Sequence, residues 1–204
     1  MSNKYPSKAI AQETLKEAEK LNKGQWVQHA EYVALACKNI AEHCEGLDSE
    51  KAYVLGLLHD IGRRVGIVKE KHTIAGYDYC ISQGWDDVAK ICITHSYSIQ
   101  DIKSVVGEMD MSKEEYDFIE NYLDSIVYDD YDLLVQLCDA LALPTGFCLM
   151  EQRLVDIARR YGFNQYTLLR WEELFKIKEY FEDKIGSSIY QVLPGAAENT
   201  FGLK

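Results

Sequence analysis

From Ser7 to Lys184 the apolar residues of this chain recur at helical spacing, and only three prolines interrupt its 204 residues. Apolar side chains three and four positions apart share one face of a helix and must be buried against another element. Ile10, Leu15, Ala18 and Leu21 mark a first helix, with Ser7 as its cap and Gly24 as its end. Trp26, Ala30, Val33, Cys37, Ile40, Ala41 and Cys44 mark a second, stopping near Gly46. Asp48 or Ser49 starts a third, which runs through Leu58 to His59-Asp60 and stops at Gly62. Two more follow over about 70–82 and 86–95, then a polar loop over about 96–111. Ser112 and Glu115 form a capping box for a helix reaching about Val127. Later helices span about 131–143, where Pro144 ends the run, then 147–161 and 165–184. No segment shows strand-length alternation bounded by hairpin turns. The expected fold is all-α, a single-domain helical bundle with a core over about 25–143. C-terminal helices over 147–184 pack on that core and shape a pocket or a homodimer surface, and 185–204 reads as an irregular tail.

The formal net charge of −11 disfavours a nucleic-acid backbone as partner, because such binding needs a basic surface. A small phosphorylated ligand needs only a few local cations, and an acidic chain has room for a cation-binding pocket. No apolar run approaches the roughly 20 residues that span a bilayer, so no membrane contact is expected. The first residues lack the apolar core of a secretory signal, which favours the cytoplasm. The six cysteines form no C-x-x-C pair and read as reduced core thiols.

His59-Asp60 is the most informative pair in the chain. It ends the apolar run that passes through Leu57-Leu58, where an imidazole and a carboxylate are costly to bury unless something pairs with them. A metal ion is the natural partner. Asp139 stands in the same position within Leu137-Cys138-Asp139-Ala140-Leu141. It is either paired inside the fold or part of a solvated stripe with Asp132 and Gln136. Of the other histidines, His29 lies one turn into the second helix, His72 opens the fourth and His95 ends the fifth. Taken singly, each is more often a hydrogen-bonded structural residue than a ligand. His43 lies near a helix C-terminus, where a partly positive imidazole interacts well with the dipole.

Taken in order, His29, His59-Asp60 and Asp139 resemble the ligand series of the HD-domain superfamily of metal-dependent phosphohydrolases. Leu57-Leu58-His59-Asp60-Ile61-Gly62-Arg63 is close to the central motif of that family. His72 with Gly76, His95-Ser96 and Cys138-Asp139 look like its two-metal subgroup, which includes bacterial diadenosine tetraphosphate hydrolases. The resemblance covers about 25–143. It implies His29, His59, Asp60 and Asp139 on one metal, and His72, His95 and a shared Asp60 on the other. Histidine nitrogen and carboxylate oxygen suit iron or manganese, with zinc, cobalt, nickel or magnesium as other candidates. Two ions about 3.5–4 Å apart activate water and polarise a phosphoryl oxygen, so Asp60 counts as catalytic and no serine or cysteine nucleophile is required.

Arg63, three residues after Asp60, is the first candidate for substrate binding through phosphate contact; otherwise it is a solvated arginine at a helix end. Arg64 and Lys71 are weaker candidates, and nothing in the sequence fixes the direction of Arg153. His95 is followed by Ser96-Tyr97, and the two-histidine sequence and Gly-Tyr-Pro motif of cyclic-di-GMP phosphodiesterases are absent. The stretch after Asp139 lacks the acidic-proline-arginine sequence of the tetraphosphate hydrolases. The expected activity is therefore cleavage of a nucleotide or other small phosphoester or phosphoanhydride by metal-activated water. The alternatives are a dinuclear iron oxygenase, which two-metal relatives resemble in ligand set, and an inactive nucleotide-binding regulatory domain. The loop over 96–111 is expected to cover the site.

Overall fold

The computed structural model describes residues 4–203, and among them it is all-α apart from one two-residue hairpin. The helices are α1 (Lys8–Leu21), α2 (Trp26–Ala41), α3 (Ser49–Leu58), α4 (Lys71–Ser82), α5 (Asp86–Thr94), α6 (Lys113–Ser125), α7 (Asp130–Asp139), α8 (Met150–Tyr161), α9 (Thr167–Ile185) and α10 (Ala196–Phe201). The local start signals act as their chemistry dictates. Ser7 caps α1, Asp48 accepts from Glu50 and Lys51 at the start of α3, and Ser112 and Glu115 close a reciprocal box on α6.

α3 is the central helix. Ala52 through Leu58 are all buried, so this segment has no solvent face. α2 packs most extensively on it, and Gly56 permits the close approach: a Cβ there would lie 2.8 Å from Cys37 Sγ and 3.0 Å from the Cα of Ala34. α7 joins the same core through Leu134, Val135, Leu137 and Cys138. All six cysteines are buried and unbridged, in keeping with their reading as core thiols. No helix of the described residues is long and apolar enough to cross a membrane.

Several boundaries differ from expectation. The third helix ends at Leu58, and Gly62 lies inside a following 3-10 segment (Ile61–Val65) that carries Arg63. The helix expected over 131–143 ends at Asp139. Pro144 cannot offer an N–H to Ala140 and drives Leu143 into extended backbone. Leu143 and Ala142 accordingly form β1 (Ala142–Leu143), antiparallel to β2 (Gly146–Phe147), and α8 starts later, at Met150. The segment after 185 is not an irregular tail. It holds a 3-10 turn (Ile189–Gln191) and α10, whose Asn199 donates to the Phe147 carbonyl and whose Thr200 hydroxyl accepts from the Leu149 amide.

The loop over 96–111 is also more than a polar cover. Tyr97, Ile102, Ser104 and Val105 are buried, and the apolar members of this set join Ile74, Ile93, Ile119 and Leu123 in a second small core. Asp110 accepts from the amides of Lys69 (2.7 Å) and Lys71 (2.8 Å), tying the end of the loop to the start of α4.

Candidate metal centre

Three histidines reach the site from three separate elements, each held in the same manner. His59 caps the C-terminus of α3 and its Nδ1–H donates to the Gly56 carbonyl at 2.7 Å. His95 caps α5 and donates to the Ile91 carbonyl at 3.0 Å. His72, in the first turn of α4, donates to the Lys69 carbonyl. A carbonyl can only accept, so each ring carries its proton on Nδ1 and presents the lone pair of Nε2 to the interior. All three residues are buried.

The Nε2 atoms meet at Asp60. His72 Nε2 lies 3.2 Å from His95 Nε2, and the two lie 3.1 and 3.7 Å from Asp60 Oδ1. His59 Nε2 lies 3.7 Å from Asp60 Oδ2, the oxygen that also accepts from Arg63 Nε at 2.7 Å. One carboxylate therefore faces His72 and His95 with one oxygen and His59 and Arg63 with the other. Gly62 makes this convergence possible. A Cβ at Gly62 would sit 1.9 Å from the His72 carbonyl oxygen, so only glycine lets the segment after Asp60 lie against the first turn of α4.

Asp139 ends α7 and accepts from His29 Nε2 at 2.8 Å, joining residues far apart in sequence. The solvated stripe considered for Asp139 is not what the fold builds. Asp132 and Gln136 are buried and face α5, where Asp132 accepts from Thr94 Oγ1 (2.7 Å) and from Lys90, and Gln136 donates to the Thr94 carbonyl (2.9 Å). These bonds hold α7 against α5 and so set Asp139 beside His95. His43 stands apart, exposed and bonded to the Asn39 carbonyl.

The electrostatics favour a cation at the centre. Burial holds the His59 imidazole down at about 4, against the pull of Asp60, so this ring is a neutral donor. Burial also disfavours a charged His95, but the Asp60 carboxylate outweighs it and raises the pKa. Burial would raise both carboxylates, yet Arg63 and the neighbouring histidines hold Asp60 well below the usual range, and His29 and Arg153 do the same for Asp139. Two buried polar atoms, His29 Nδ1 and Asp60 Oδ1, have no hydrogen-bond partner. Donor atoms of His29, His59 and Asp139 lie within 4.8 Å of one another, as do those of His59, Asp60 and His95. Imidazole nitrogens and carboxylate oxygens at this spacing fit a divalent transition ion. The two groupings share His59, while His72 abuts Asp60 and His95, so the six residues form one continuous cluster.

His29, Asp60, His72, His95 and Asp139 of that cluster line a cavity of about 660 Å³. The six-residue series from His29 to Asp139 falls within residues 26–143, the interval matched by the family model described as HD domain. The chain belongs to the HD domain family. HD domains bind divalent metals, and the family consists generally of metal-dependent hydrolases. No curated protein and no solved structure matched the chain. The HD match ends at Leu143, so the walls contributed by α8 and α9 lie beyond the matched interval.

The cavity lining and its surroundings hold what sequence reasoning left open or missed. Arg63 is only partly solvated, its side chain 29% exposed, and it pairs with Asp60 at the cavity edge. Arg64 instead stacks over Tyr79, and Lys71 pairs with Glu115. Arg153 does point to the site, with one guanidinium nitrogen 3.4 Å from Asp139 Oδ1. Arg170 on α9 was missed, although a signal exists: it falls on the buried stripe of Thr167, Leu174, Ile177 and Phe181. A charge at an apolar-stripe position is the same anomaly that singled out Asp60. Asn22 was missed too. Its amide donates to the carbonyls of Arg63 (2.6 Å) and Gly66 (2.9 Å) and fixes the 3-10 segment from outside.

Proposed function

We propose that this protein is a metal-dependent phosphohydrolase acting on a small phosphorylated compound, with two divalent ions held by His29, His59, Asp60, His72, His95 and Asp139. The observation that carries this reading is the meeting of Nε2 lone pairs from His59, His72 and His95 around both oxygens of one buried aspartate. When bound, divalent ions in such a site polarise a phosphoryl oxygen and lower the pKa of water from 15.7 to about 7. The backbone carbonyls of Gly56, Lys69 and Ile91 orient the three rings with Nε2 toward the interior, where each would serve as a ligand. Asp60 spans the two ligand groups. Arg63 and Arg153, which pair with the two carboxylates and line the cavity, are the side chains assigned to phosphate contact in this reading. A nucleotide is the expected substrate, with iron or manganese the expected metal.

The test is phosphate or nucleotide release from a broad panel of phosphoesters and phosphoanhydrides, with iron, manganese, cobalt and magnesium supplied separately under anaerobic conditions. Metal-dependent turnover that Asp60→Ala abolishes, with its fold intact by circular dichroism, supports the reading. No turnover with any metal counts against it, and activity that appears only with dioxygen moves the assignment to an oxygenase.

A further inference from the structure

Four arginines line the cavity, namely Arg63, Arg153, Arg160 and Arg170. The first three have carboxylate partners: Asp60 at 2.7 Å, Asp139 at 3.4 Å and Asp156 at 2.7 Å, respectively. Arg170 makes no side-chain hydrogen bond and has no carboxylate within ion-pair distance among the described residues, and its Nε is buried without a partner. Burial holds its pKa below the usual guanidinium value, and the nearest opposing charges, Glu70 and Asp139, do not restore it. A partly buried guanidinium whose Nε has no acceptor is unfavourable in a folded chain and is retained where an anion arrives to meet it. Arg170 also lines the smaller pocket that opens between α7, α8 and α9 behind His95 and Asp139. There, Gln136 Oε1 and Ser98 Oγ are likewise buried without partners. Arg170, Gln136 and Ser98 thus bring three unmet polar groups to one pocket beside the metal centre, and of these Arg170 stands on a helix outside the HD match.

We propose that Arg170 anchors a second anion subsite, which binds a phosphate group of the substrate other than the one that reacts at the histidine–aspartate cluster. The inference rests on the phosphohydrolase reading for the identity of the reacting group. It narrows the substrate to compounds with at least two phosphoryl groups, joined as an anhydride or borne on one small scaffold. A guanidinium meets a phosphate through two parallel N–H donors, and the other lining arginines add charge that suits a polyanion better than a single phosphate.

Isothermal titration with methylenediphosphonate, whose bridge cannot be hydrolysed, and with orthophosphate tests this directly. It is run on manganese-loaded protein and on protein stripped by dialysis against a chelator. The wild type is expected to prefer the diphosphonate by about tenfold or more, and Arg170→Met to bring the ratio of affinities close to one. Arg170→Lys keeps the charge but loses the fork and is expected to fall between them. In the absence of ligand, Arg170→Met is expected to melt no lower than the wild type, because it removes an unpaired, partly buried charge. A structural arginine would instead lower the melting temperature on removal. An unchanged preference in Arg170→Met, or no preference in the wild type, overturns the subsite. If Arg170→Met fails to fold, an unchanged preference in Arg170→Lys overturns it equally. Failure of the hydrolase reading registers separately, as absence of turnover in a wild type whose diphosphonate preference still depends on Arg170.

Discussion

His72 and His95 face each other Nε2 to Nε2 at 3.2 Å, beside the same oxygen of Asp60. Each ring has already committed its Nδ1 proton to a backbone carbonyl, so two lone pairs point at one another. Between neutral rings such a contact is repulsive until a proton or a metal ion lies between them, and Asp60 favours positive charge there. Saturating manganese or iron should therefore raise the melting temperature, by the equivalent of about 2.7 kcal/mol at one hundred times the dissociation constant. His72→Ala and His95→Ala should each weaken metal affinity by about 10–100-fold or more, measured by competition with a chromogenic chelator. Equal metal affinity in both variants and the wild type would remove these residues from the site.

Gly62→Ala is expected to damage the site without touching any ligand. Its new methyl group would overlap the His72 carbonyl, which stands 1.9 Å from the ideal Cβ position. Overpacking of this kind costs about 1–3 kcal/mol. Relief by movement of α4 would carry His72 away from Asp60. Urea denaturation should report the loss of stability, and metal titration the loss of affinity. Full metal affinity in a destabilised Gly62→Ala protein would show that the strain is relieved elsewhere.

Asp132 makes the internal brace of α7. Its side chain is fully buried, while that of its partner Lys90 is 22% exposed. Asp132→Ala leaves the Thr94 hydroxyl without its acceptor and the Lys90 ammonium with only Asp129 (3.1 Å) and the Val127 carbonyl (3.2 Å). Breaking a buried ion pair by removing one partner costs about 3–5 kcal/mol, and the partial exposure of Lys90 and its remaining pair with Asp129 place this case at or below the lower end. Chemical denaturation checks the figure. Because the brace sets Asp139 beside His95, metal affinity should fall along with stability.

Asp110 should make the loop over 96–111 sensitive to acid. Burial would raise its pKa, but the backbone amides of Lys69 and Lys71 outweigh this and hold it below the ordinary carboxylate value. A depressed pKa means that the ionised form is favoured by the fold. Its contribution is present above the unfolded value of about 3.9 and is lost as pH falls through the lower folded value. Hydrogen exchange in the loop should accelerate below about pH 4. Asp110→Ala should show that faster exchange at neutral pH already. A variant with wild-type exchange at both pH values would show that the apolar anchors Tyr97 and Ile102 suffice by themselves.

Much of the architecture was legible in the chain because it is local. Ser7, Asp48 and the Ser112/Glu115 box act on amides within three residues, and the apolar stripes need only helical periodicity. The same arithmetic exposed Asp60 as a charge where the pattern asks for an apolar residue. It overshot where a distant partner decides the conformation. The segment after 185 is helical because α10 bonds to Phe147 and Leu149, some 50 residues earlier, and no local signal carries that. Arg170 shows the converse, a legible anomaly whose meaning depends on which cavity its helix faces.

By itself the sequence determined an all-α chain, the positions of most helix starts and the set of histidines and aspartates whose chemistry suits a metal. Local hydrogen bonds and helical period encode those features. Tertiary packing alone decided that His29 would meet Asp139 across a separation of 110 residues and that Asp60 would divide its oxygens between two groups of histidines. It also decided that Arg153 and Arg170 would turn toward the same cavity. Those relationships depend on close contacts such as Gly62 against α4 and Gly56 against α2, where the volume of one methyl group sets how near two helices can come.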